Sequence, residues 1–349
     1  MKELEFLPLF EKFIRDSRSG RRMKKDGKRI KPQTVDNYEY IYRNLREFST
    51  KKDFALRISQ VSGNNKKLLQ SEKNYWKKFY KGYTEYLYNE RECYDNYVGT
   101  NIKIIKTFFK YLKEEKNIAV GEFHKVFHIP VEDVPIITLS SDQLRFLVHN
   151  QKFTNSLPPH LQTSKDIFIF GCTVALRVSD IFLLQPSNVQ SIDGKHFLSI
   201  KTRKTGAEMR IKLPDYAYSI LKKYMDERKS KTIFPPISLS QFNKNIRRIS
   251  ELAGWTETIG KARERQGINK KIFLASGAKK EYRFCDLITS HTMRRTAITT
   301  MLMYGMPEHL VKLISGHAGN SKAFYRYVNY VQSFADNELD KVHEKIGKA

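Results

Sequence analysis

The chain has 349 residues and a net charge of +26, with 40% hydrophobic and 12% aromatic residues, which is enough for two folded domains and excludes a disordered basic arm. Its three cysteines lie far apart without a CxxC pair, which excludes a disulfide framework and a cysteine-based zinc site. The first 22 residues are studded with charges instead of forming an apolar signal core, and no run of about 18 apolar residues exists, so we expect a cytoplasmic protein without a membrane span.

Four helices are predicted in the first 125 residues. Apolar residues at helical spacing run from Glu3 to Arg18, and Thr34 is a candidate cap for a second helix. Residues 71–88 and 100–115 have the same periodicity. Residues 1–125 are therefore predicted to form a small helical bundle.

Basic residues are spread over both halves of the chain. Residues 1–128 carry a net charge of +12 and residues 129–349 a net charge of +14, which indicates that both halves contact one polyanion and favours nucleic acid over a merely soluble basic protein. In the first half the candidate DNA contacts lie in the basic loop 20–32 and on one face of the fourth predicted helix. For each of them a solvated surface is an equal alternative: Arg21, Arg22, Lys24, Lys25, Lys103, Lys106 and Lys110.

Residues 126–138 are predicted to be an extended linker, because they include Pro130 and Pro135. A helix capped by Ser140 or Ser141 follows, and residues 139–349 are predicted to be helical with one β-hairpin. The hairpin strands, 196–200 and 209–214, alternate in hydrophobicity around a basic turn. The expected fold class is mainly α with a small β-sheet, in which an N-terminal helical domain precedes a mixed α/β domain.

Side chains that suit phosphate chemistry are distributed along the second half. Arg177 stands in an apolar run, where an unpaired charge is costly, and Asp180 can hold its guanidinium in an ion pair. His291 and Arg294 share one helix face near a helix start, where an anion is favoured. Arg295 points elsewhere and is a candidate contact to the DNA backbone.

His317 follows Gly316 in a turn, shortly before a helix with several tyrosines. Guanidinium groups can clamp a phosphate, imidazoles can move protons, and a phenol can attack phosphorus, so the set indicates phosphoryl transfer. A metal site is disfavoured, because His291 and His317 lack a third ligand at usable spacing and no HExxH pattern lies nearby.

The order of these residues resembles the tyrosine recombinase (phage integrase) family, including integrases of mobile elements, over residues of about 136–335. That family has an arginine with an acidic residue three positions later, a hairpin lysine, His-x-x-Arg, Gly-His and then a tyrosine. Lys204 matches the hairpin lysine through a Thr-x-Lys-Thr pattern, with Lys201 as the alternative and Arg203 as a further DNA contact. The other matching positions are Arg177, Asp180, His291, Arg294 and His317.

The tyrosine requires a choice of register. The family places it about nine residues beyond the Gly-His histidine, and that position is Arg326, flanked by Tyr325 and Tyr327. Many relatives carry Lys-Ala-Phe-x-Lys-Tyr at the nucleophile, and residues 322–327 read Lys-Ala-Phe-Tyr-Arg-Tyr. One extra residue in the preceding turn brings Tyr327 into register, so Tyr327 is the predicted nucleophile and Tyr325 the alternative.

The resemblance implies DNA cleavage and rejoining through a 3′-phosphotyrosyl link, without a cofactor, ATP or a metal. Arg177 and Arg294 would neutralise the phosphate oxygens, and His291 would assist removal of the tyrosine proton. Lys204 would protonate the departing 5′-oxygen, while His317 would donate a hydrogen bond to the phosphate.

The resemblance also implies the partners of a bacterial or phage-encoded recombinase. These are double-stranded DNA, a homotetramer on two DNA sites that passes through a Holliday junction, and accessory DNA-bending or directionality factors, with a monomer off the DNA. The tail 331–349 is predicted to be helical and to dock on a neighbouring protomer or on its own domain. The alternatives are a type IB topoisomerase, which relaxes supercoils as a monomer, and a DNA-binding regulator without catalytic activity.

Overall fold

The computed structural model describes residues 3–60, 66–203, 206, 208–226, 231–274, 280–319 and 321–347. They form two compact units, each with its own hydrophobic core. The first unit comprises the residues up to Val134 together with Ala262–Ile272, and the second comprises Pro135–Lys261 and the residues from Phe273 onwards. The chain therefore leaves the second unit after residue 261 and re-enters it at residue 273.

The first unit is a helical bundle with one small sheet. Its elements up to Val134 are β1 (Glu3–Glu5), α1 (Phe6–Ser19), α2 (Pro32–Lys51), β2 (Arg57–Ser59), α3 (Lys66–Asn89) and α4 (Asp95–Glu114). The prediction that a helix begins at Glu3 is wrong, because residues 3–5 pair antiparallel with β2. The predicted cap Thr34 is also wrong: α2 begins at Pro32, whose fixed φ and missing N–H suit a first helical turn.

Aromatic side chains on three helices fill the core of this unit. The rings of Phe10 and Phe108 have centroids 4.8 Å apart, and Trp76 meets Phe109 edge-to-face at 4.8 Å. Such tilted and edge-to-face contacts are the favoured geometry of aromatic pairs. The periodic aromatic residues that predict the helices thus also build the core between them.

From residue 139 onwards the chain forms a larger set of elements. In chain order they are α5 (Ser141–His149), α6 (Gln151–Ser156), α7 (Pro159–Val174), α8 (Val178–Ile181), β3 (Val189–Ile192), β4 (Lys195–Lys201), β5 (Glu208–Leu213), α9 (Asp215–Asp226), α10 (Leu239–Leu252), β6 (Ala262–Arg265), β7 (Ile268–Lys271), α11 (Phe284–Leu287), α12 (Ser290–Met303), α13 (Glu308–Ser315) and α14 (Lys322–Gly347). The mainly α fold with small antiparallel sheets is confirmed. The predicted helical tail is confirmed as far as Gly347.

Helices α7 and α12 form the centre of the second unit. They approach closely at Gly171, where a Cβ atom would lie only 2.4 Å from the Met293 sulfur. This packing matters for the site, because the chain after α7 carries Arg177 and α12 carries His291 and Arg294.

A three-stranded antiparallel sheet, in the order β3-β4-β5, contains the predicted hairpin. Ser199 lies opposite Arg210, and Lys201 lies opposite Glu208 at the turn end of the ladder. The third strand, β3, was not predicted. Lys204, in the turn, lies outside the described residues.

The prediction of a single hairpin in the second half is wrong, because β6 and β7 form another one. This hairpin belongs to the first unit, where two buried carboxylates hold it. Asp95 accepts the amide protons of Gln266 and Gly267 at 2.8 and 2.9 Å. Glu132 accepts the Glu264 amide at 2.6 Å and forms an ion pair with Arg263. Four donors on two carboxylates thus fix the hairpin.

Within the described ranges, no helix combines the length and the apolar character needed to cross a membrane.

Candidate active site

Arg294 is held against the end of α7 by a left-handed turn. Ala175 ends α7 with φ 55°, an uncommon conformation for a residue other than glycine. Its carbonyl accepts a hydrogen bond from Nη1 of Arg294 at 2.7 Å. The side chain of Arg294, which is only 3% exposed, therefore has one face fixed by backbone while Nη2 faces the site.

Two guanidinium groups share this site without a carboxylate partner in the described part of the chain. Burial, and then the charge of the nearby Arg177, lower the pKa of Arg294 to about 10. Nη1 of Arg177 is buried and forms no hydrogen bond within the described residues. A buried cation beside a second cation with an unpaired buried nitrogen creates a site that favours an anion, because an unpaired buried charge is otherwise costly.

Asp180 does not hold Arg177 in an ion pair, which corrects that expectation. Arg177 is the N-cap of α8, in an extended conformation with ψ 143°, and its side chain makes no capping hydrogen bond. Oδ1 of Asp180 instead accepts the amide proton of Arg203 at 3.1 Å, and its buried Oδ2 has no partner among the described residues. Asp180 thereby ties α8 to the chain next to Lys204.

The alternative lysine, Lys201, lies on the surface. Its Nζ atom is 3.4 Å from a carboxylate oxygen of Glu208, and both side chains are largely exposed.

The two predicted histidines occupy different environments. His291 is exposed in the first turn of α12, and the amide of the preceding Ser290 donates to Oδ1 of Asn243 at 2.7 Å. His317 is half-buried and follows Gly316, whose left-handed conformation ends α13. Burial, and then the charge of Arg294, lower the pKa of His317 to about 4, so its imidazole is neutral at neutral pH.

Tyr327 lies inside this site and Tyr325 does not. Tyr327 is 8% exposed, packs against Phe324, and has its ring centroid 6.0 Å from that of His317. Tyr325 is 48% exposed, and its ring faces Nζ of Lys312. The structure therefore brings Arg177, Arg294, His317 and Tyr327 together and leaves Tyr325 at the surface.

Arg295 is half-buried, which differs from the surface position expected of a backbone-phosphate contact. Burial lowers the pKa of Arg295, while the nearby Tyr327 acts in the opposite direction. Arg295 thus adds a third cation close to the tyrosine.

Sequence reasoning assigned no role to Ser315, Asn243 or Ala175. Ser315 lies two residues before His317, and this spacing was the only signal that the sequence offered for it. Ala175 acts through its backbone carbonyl, and Asn243 acts through its side-chain Oδ1 on the amide of Ser290, 47 residues further along the chain; neither contact leaves a pattern in the sequence.

Several predicted DNA contacts of the first unit are engaged internally. Arg21 pairs with Asp16 at 2.8 Å, and Arg22, with 13% of its side chain exposed, pairs with Glu115 at 3.1 Å. Lys106 donates to the carbonyls of Lys125 and Phe127 at 3.0 and 2.9 Å. Lys110 lies 3.6 Å from Glu114, whereas three candidates are simply exposed: Lys24, Lys25 and Lys103.

The residues that the structure describes contain no group of three or more His, Cys, Asp or Glu side chains that could hold a metal ion.

Solved structures of tyrosine recombinases have the same fold. XerH recombinase bound to palindromic difH substrate in a post-cleavage complex matches with a TM-score of 0.60 and 12% identity, over 92% of this chain and 80% of that one. The Tn1549 transposon integrase in complex with circular intermediate DNA gives 0.58 and 14%, over 92% and 94%. A lambda integrase tetramer bound to a Holliday junction gives 0.54 and 14%, over 90% and 78%.

A match to a family model identifies the family of this chain. The model of the phage integrase family matches residues 138–333, more than half of the chain. The chain therefore belongs to the phage integrase family, whose members are tyrosine recombinases. No curated protein sequence matches it.

Proposed function

We propose that the protein is a site-specific DNA recombinase that cleaves and rejoins strands through a 3′-phosphotyrosyl intermediate. The observation that carries this proposal is the pair of guanidinium groups of Arg294, which is buried, and Arg177, whose Nη1 is buried, near Tyr327 and without an ion-pair partner among the described residues. Guanidinium groups bind phosphate through paired hydrogen bonds, and a DNA phosphodiester supplies the missing negative charge.

The proposed reaction gives each of these residues one role. The hydroxyl oxygen of Tyr327 attacks phosphorus while His291 assists removal of its proton, and the bond from phosphorus to the 5′-oxygen breaks. Arg177 and Arg294 stabilise the charge that builds on the non-bridging oxygens. Lys204 protonates the departing 5′-oxygen. Because the phosphotyrosyl link keeps the energy of the broken bond, a 5′-hydroxyl can rejoin without ATP.

The division of labour between domains is part of the proposal. Residues 1–125 bind duplex DNA, residues 126–138 connect, and residues 139–349 carry the chemistry. Strand exchange takes four protomers on two DNA sites, a state supported by the lambda integrase tetramer on a Holliday junction. The net charge of +26 supports DNA as the partner.

Suicide DNA tests the proposal directly. In such a duplex a nick near the scissile phosphate lets the short leaving strand diffuse away, so the covalent adduct accumulates. The substrate is a pool of nicked duplexes of varied sequence. The covalent adducts are isolated from this pool and sequenced, which selects the target site. We expect an adduct that resists denaturant and forms in excess EDTA, since arginines supply the positive charge. Failure to form any adduct, or a strict need for a divalent ion, would contradict the proposal.

A further inference from the structure

The chain passes between the two units not only near residue 135 but also on both sides of the β6–β7 hairpin. The hairpin is folded into the first unit, although the residues before and after it belong to the second. Ala262 and Lys271 lie opposite each other in its ladder, so the chain leaves the second unit and returns to it at neighbouring positions. No hairpin residue belongs to a hydrophobic core in the part of the chain that the structure describes. The hairpin is therefore a polar attachment and not a part of either core.

The turn of the hairpin is bound by the start of α4. Gln266 and Gly267 have φ of 55° and 71°, and a two-residue turn of this kind leaves both of their amides outside the ladder. The buried carboxylate of Asp95 accepts both amide protons, at 2.8 and 2.9 Å. The Arg265 guanidinium donates to the carbonyl of Tyr88, at the end of α3. The first unit thus supplies the acceptors that the turn needs.

The strand β6 is bound by a second buried carboxylate, that of Glu132. It accepts the Glu264 amide at 2.6 Å and pairs with Arg263, whose guanidinium lies over the Tyr94 ring at 5.1 Å. Asn96 holds the backbone of Glu132 in turn, since its side chain bonds the carbonyl at 3.0 Å and the amide at 3.3 Å. Loss of one partner of a buried ion pair is strongly destabilising, because the other charge stays desolvated. The attachment therefore resists opening.

We propose that the β6–β7 hairpin is a clasp, by which the first unit holds a segment of the catalytic unit's chain independently of the peptide link near residue 135. The consequence for DNA rests on the proposed recombinase function. If both units bind one duplex, a unit that lets go rebinds at high effective concentration as long as it stays joined to the other. The clasp is a second joint that keeps the two units on one DNA molecule.

The clasp can be tested without DNA. A recognition site for a sequence-specific protease is inserted after Pro135, which is exposed, and the full chain is then cut there. We expect the two fragments to elute together in gel filtration, with the mass of one chain by light scattering. Replacement of Ala262–Lys271 by Gly-Gly, which joins the neighbouring ends of the hairpin, should let the fragments separate. Circular dichroism of the uncut proteins verifies that both are folded.

A single substitution provides a second test of the attachment. Arg263→Ala leaves Glu132 buried without its ion-pair partner, so we expect the fragments to associate about 10²–10³-fold more weakly. The matched control is Lys270→Ala, because Lys270 lies opposite Arg263 in the ladder, carries the same charge and is exposed. It should leave the association unchanged.

Three outcomes would overturn the clasp. They are wild-type fragments that separate, fragments that stay together after the Gly-Gly replacement, and an uncut mass of two chains that falls to one after that replacement. The last result would place the hairpin on a second copy of the chain.

DNA binding tests the consequence. On a duplex of random sequence at fixed salt, the cut wild-type protein should bind as tightly as the uncut protein. The cut Gly-Gly protein should bind about 10²–10⁴-fold more weakly, because its units are no longer joined. An equal loss in both cut proteins, or no loss in either, would overturn the role of the clasp on DNA. If the uncut wild-type protein forms no covalent adduct, the recombinase proposal fails, and the gel-filtration result still decides whether the clasp exists.

Discussion

The two units differ in whether their buried charges have ion-pair partners. In the first unit, Asp16 is buried and receives the guanidinium of Arg21, the ammonium of Lys116 and the hydroxyl of Tyr111, at 2.8, 2.7 and 2.6 Å. In the second unit, the buried Arg294 and the half-buried Arg177 form no ion pair with a carboxylate among the described residues, although Asp180 lies close enough to raise the pKa of Arg294. The net charge of the chain indicates that its binding partner is a polyanion. Which cations serve structure and which bind that polyanion is indicated instead by whether each cation has an ion-pair partner in the structure.

The largest effect should come from the unpaired cations. We expect Arg177→Met to slow formation of the covalent adduct by about 10²–10³-fold, because one group that stabilises the transition-state charge is lost. The melting temperature should stay the same or rise, since no ion pair breaks and a desolvated charge disappears. Suicide DNA and thermal unfolding measure the two effects.

Arg283→Met is the matched control, because Arg283 forms ion pairs with Glu251 and Asp286, both at 3.0 Å. It should lower stability with little effect on the rate of adduct formation. A destabilised Arg177→Met protein with a normal rate would contradict the comparison.

The next largest effect should be a loss of stability when the paired carboxylate of Asp16 is removed. Asp16→Asn should lower the free energy of unfolding by about 2 kcal/mol, because buried donors lose a charged acceptor. Urea unfolding measures this change. The rate of adduct formation per folded molecule should be unchanged, and a reduced rate at full stability would place Asp16 in the active site instead.

The sequence predicted elements whose signal is local. The four aromatic-rich helices, the β4–β5 hairpin and the residues of the family motif were all visible in periodicity and spacing. The β6–β7 hairpin was not, because its half-exposed polar strands lack alternation and are held by Asp95 and Glu132, more than a hundred residues away. The ion pair of Arg177 with Asp180 was a wrong inference from spacing, since Arg177 lies before the helix begins.

The carboxylate of Asp16 should also affect how stability depends on pH in acid. Burial alone would raise the pKa of Asp16, but the hydrogen bonds from Lys116, Tyr111 and Arg21 outweigh it and hold that pKa below its ordinary value. A lowered pKa contributes stability that is present above the unfolded-state pKa of about 3.9 and is lost as the pH falls towards the folded-state pKa. Acid titration of unfolding should therefore be shallower for Asp16→Asn than for the wild-type protein below about pH 4. Identical acid limbs would contradict this account of Asp16.

The smallest effects should separate the exposed lysines from the paired arginine in the first unit. If Lys24 and Lys25 contact phosphates, each substitution by alanine should lower the log–log salt slope of DNA binding by about 0.9. Arg22→Ala should leave the slope unchanged, because Arg22 is bound to Glu115 and stacks on Phe13 at 4.7 Å. A lowered slope for Arg22→Ala with unchanged slopes for both lysines would reverse the comparison.

The identity of the linked residue tests the central claim most directly. An adduct trapped on suicide DNA is digested with nuclease and protease, and mass spectrometry locates the residue that carries the nucleotide. The account predicts a phosphodeoxynucleotide on Tyr327, the tyrosine buried beside His317, and an adduct that disappears in Tyr327→Phe but persists in Tyr325→Phe. A nucleotide on Tyr325, or an adduct that survives Tyr327→Phe, would contradict it.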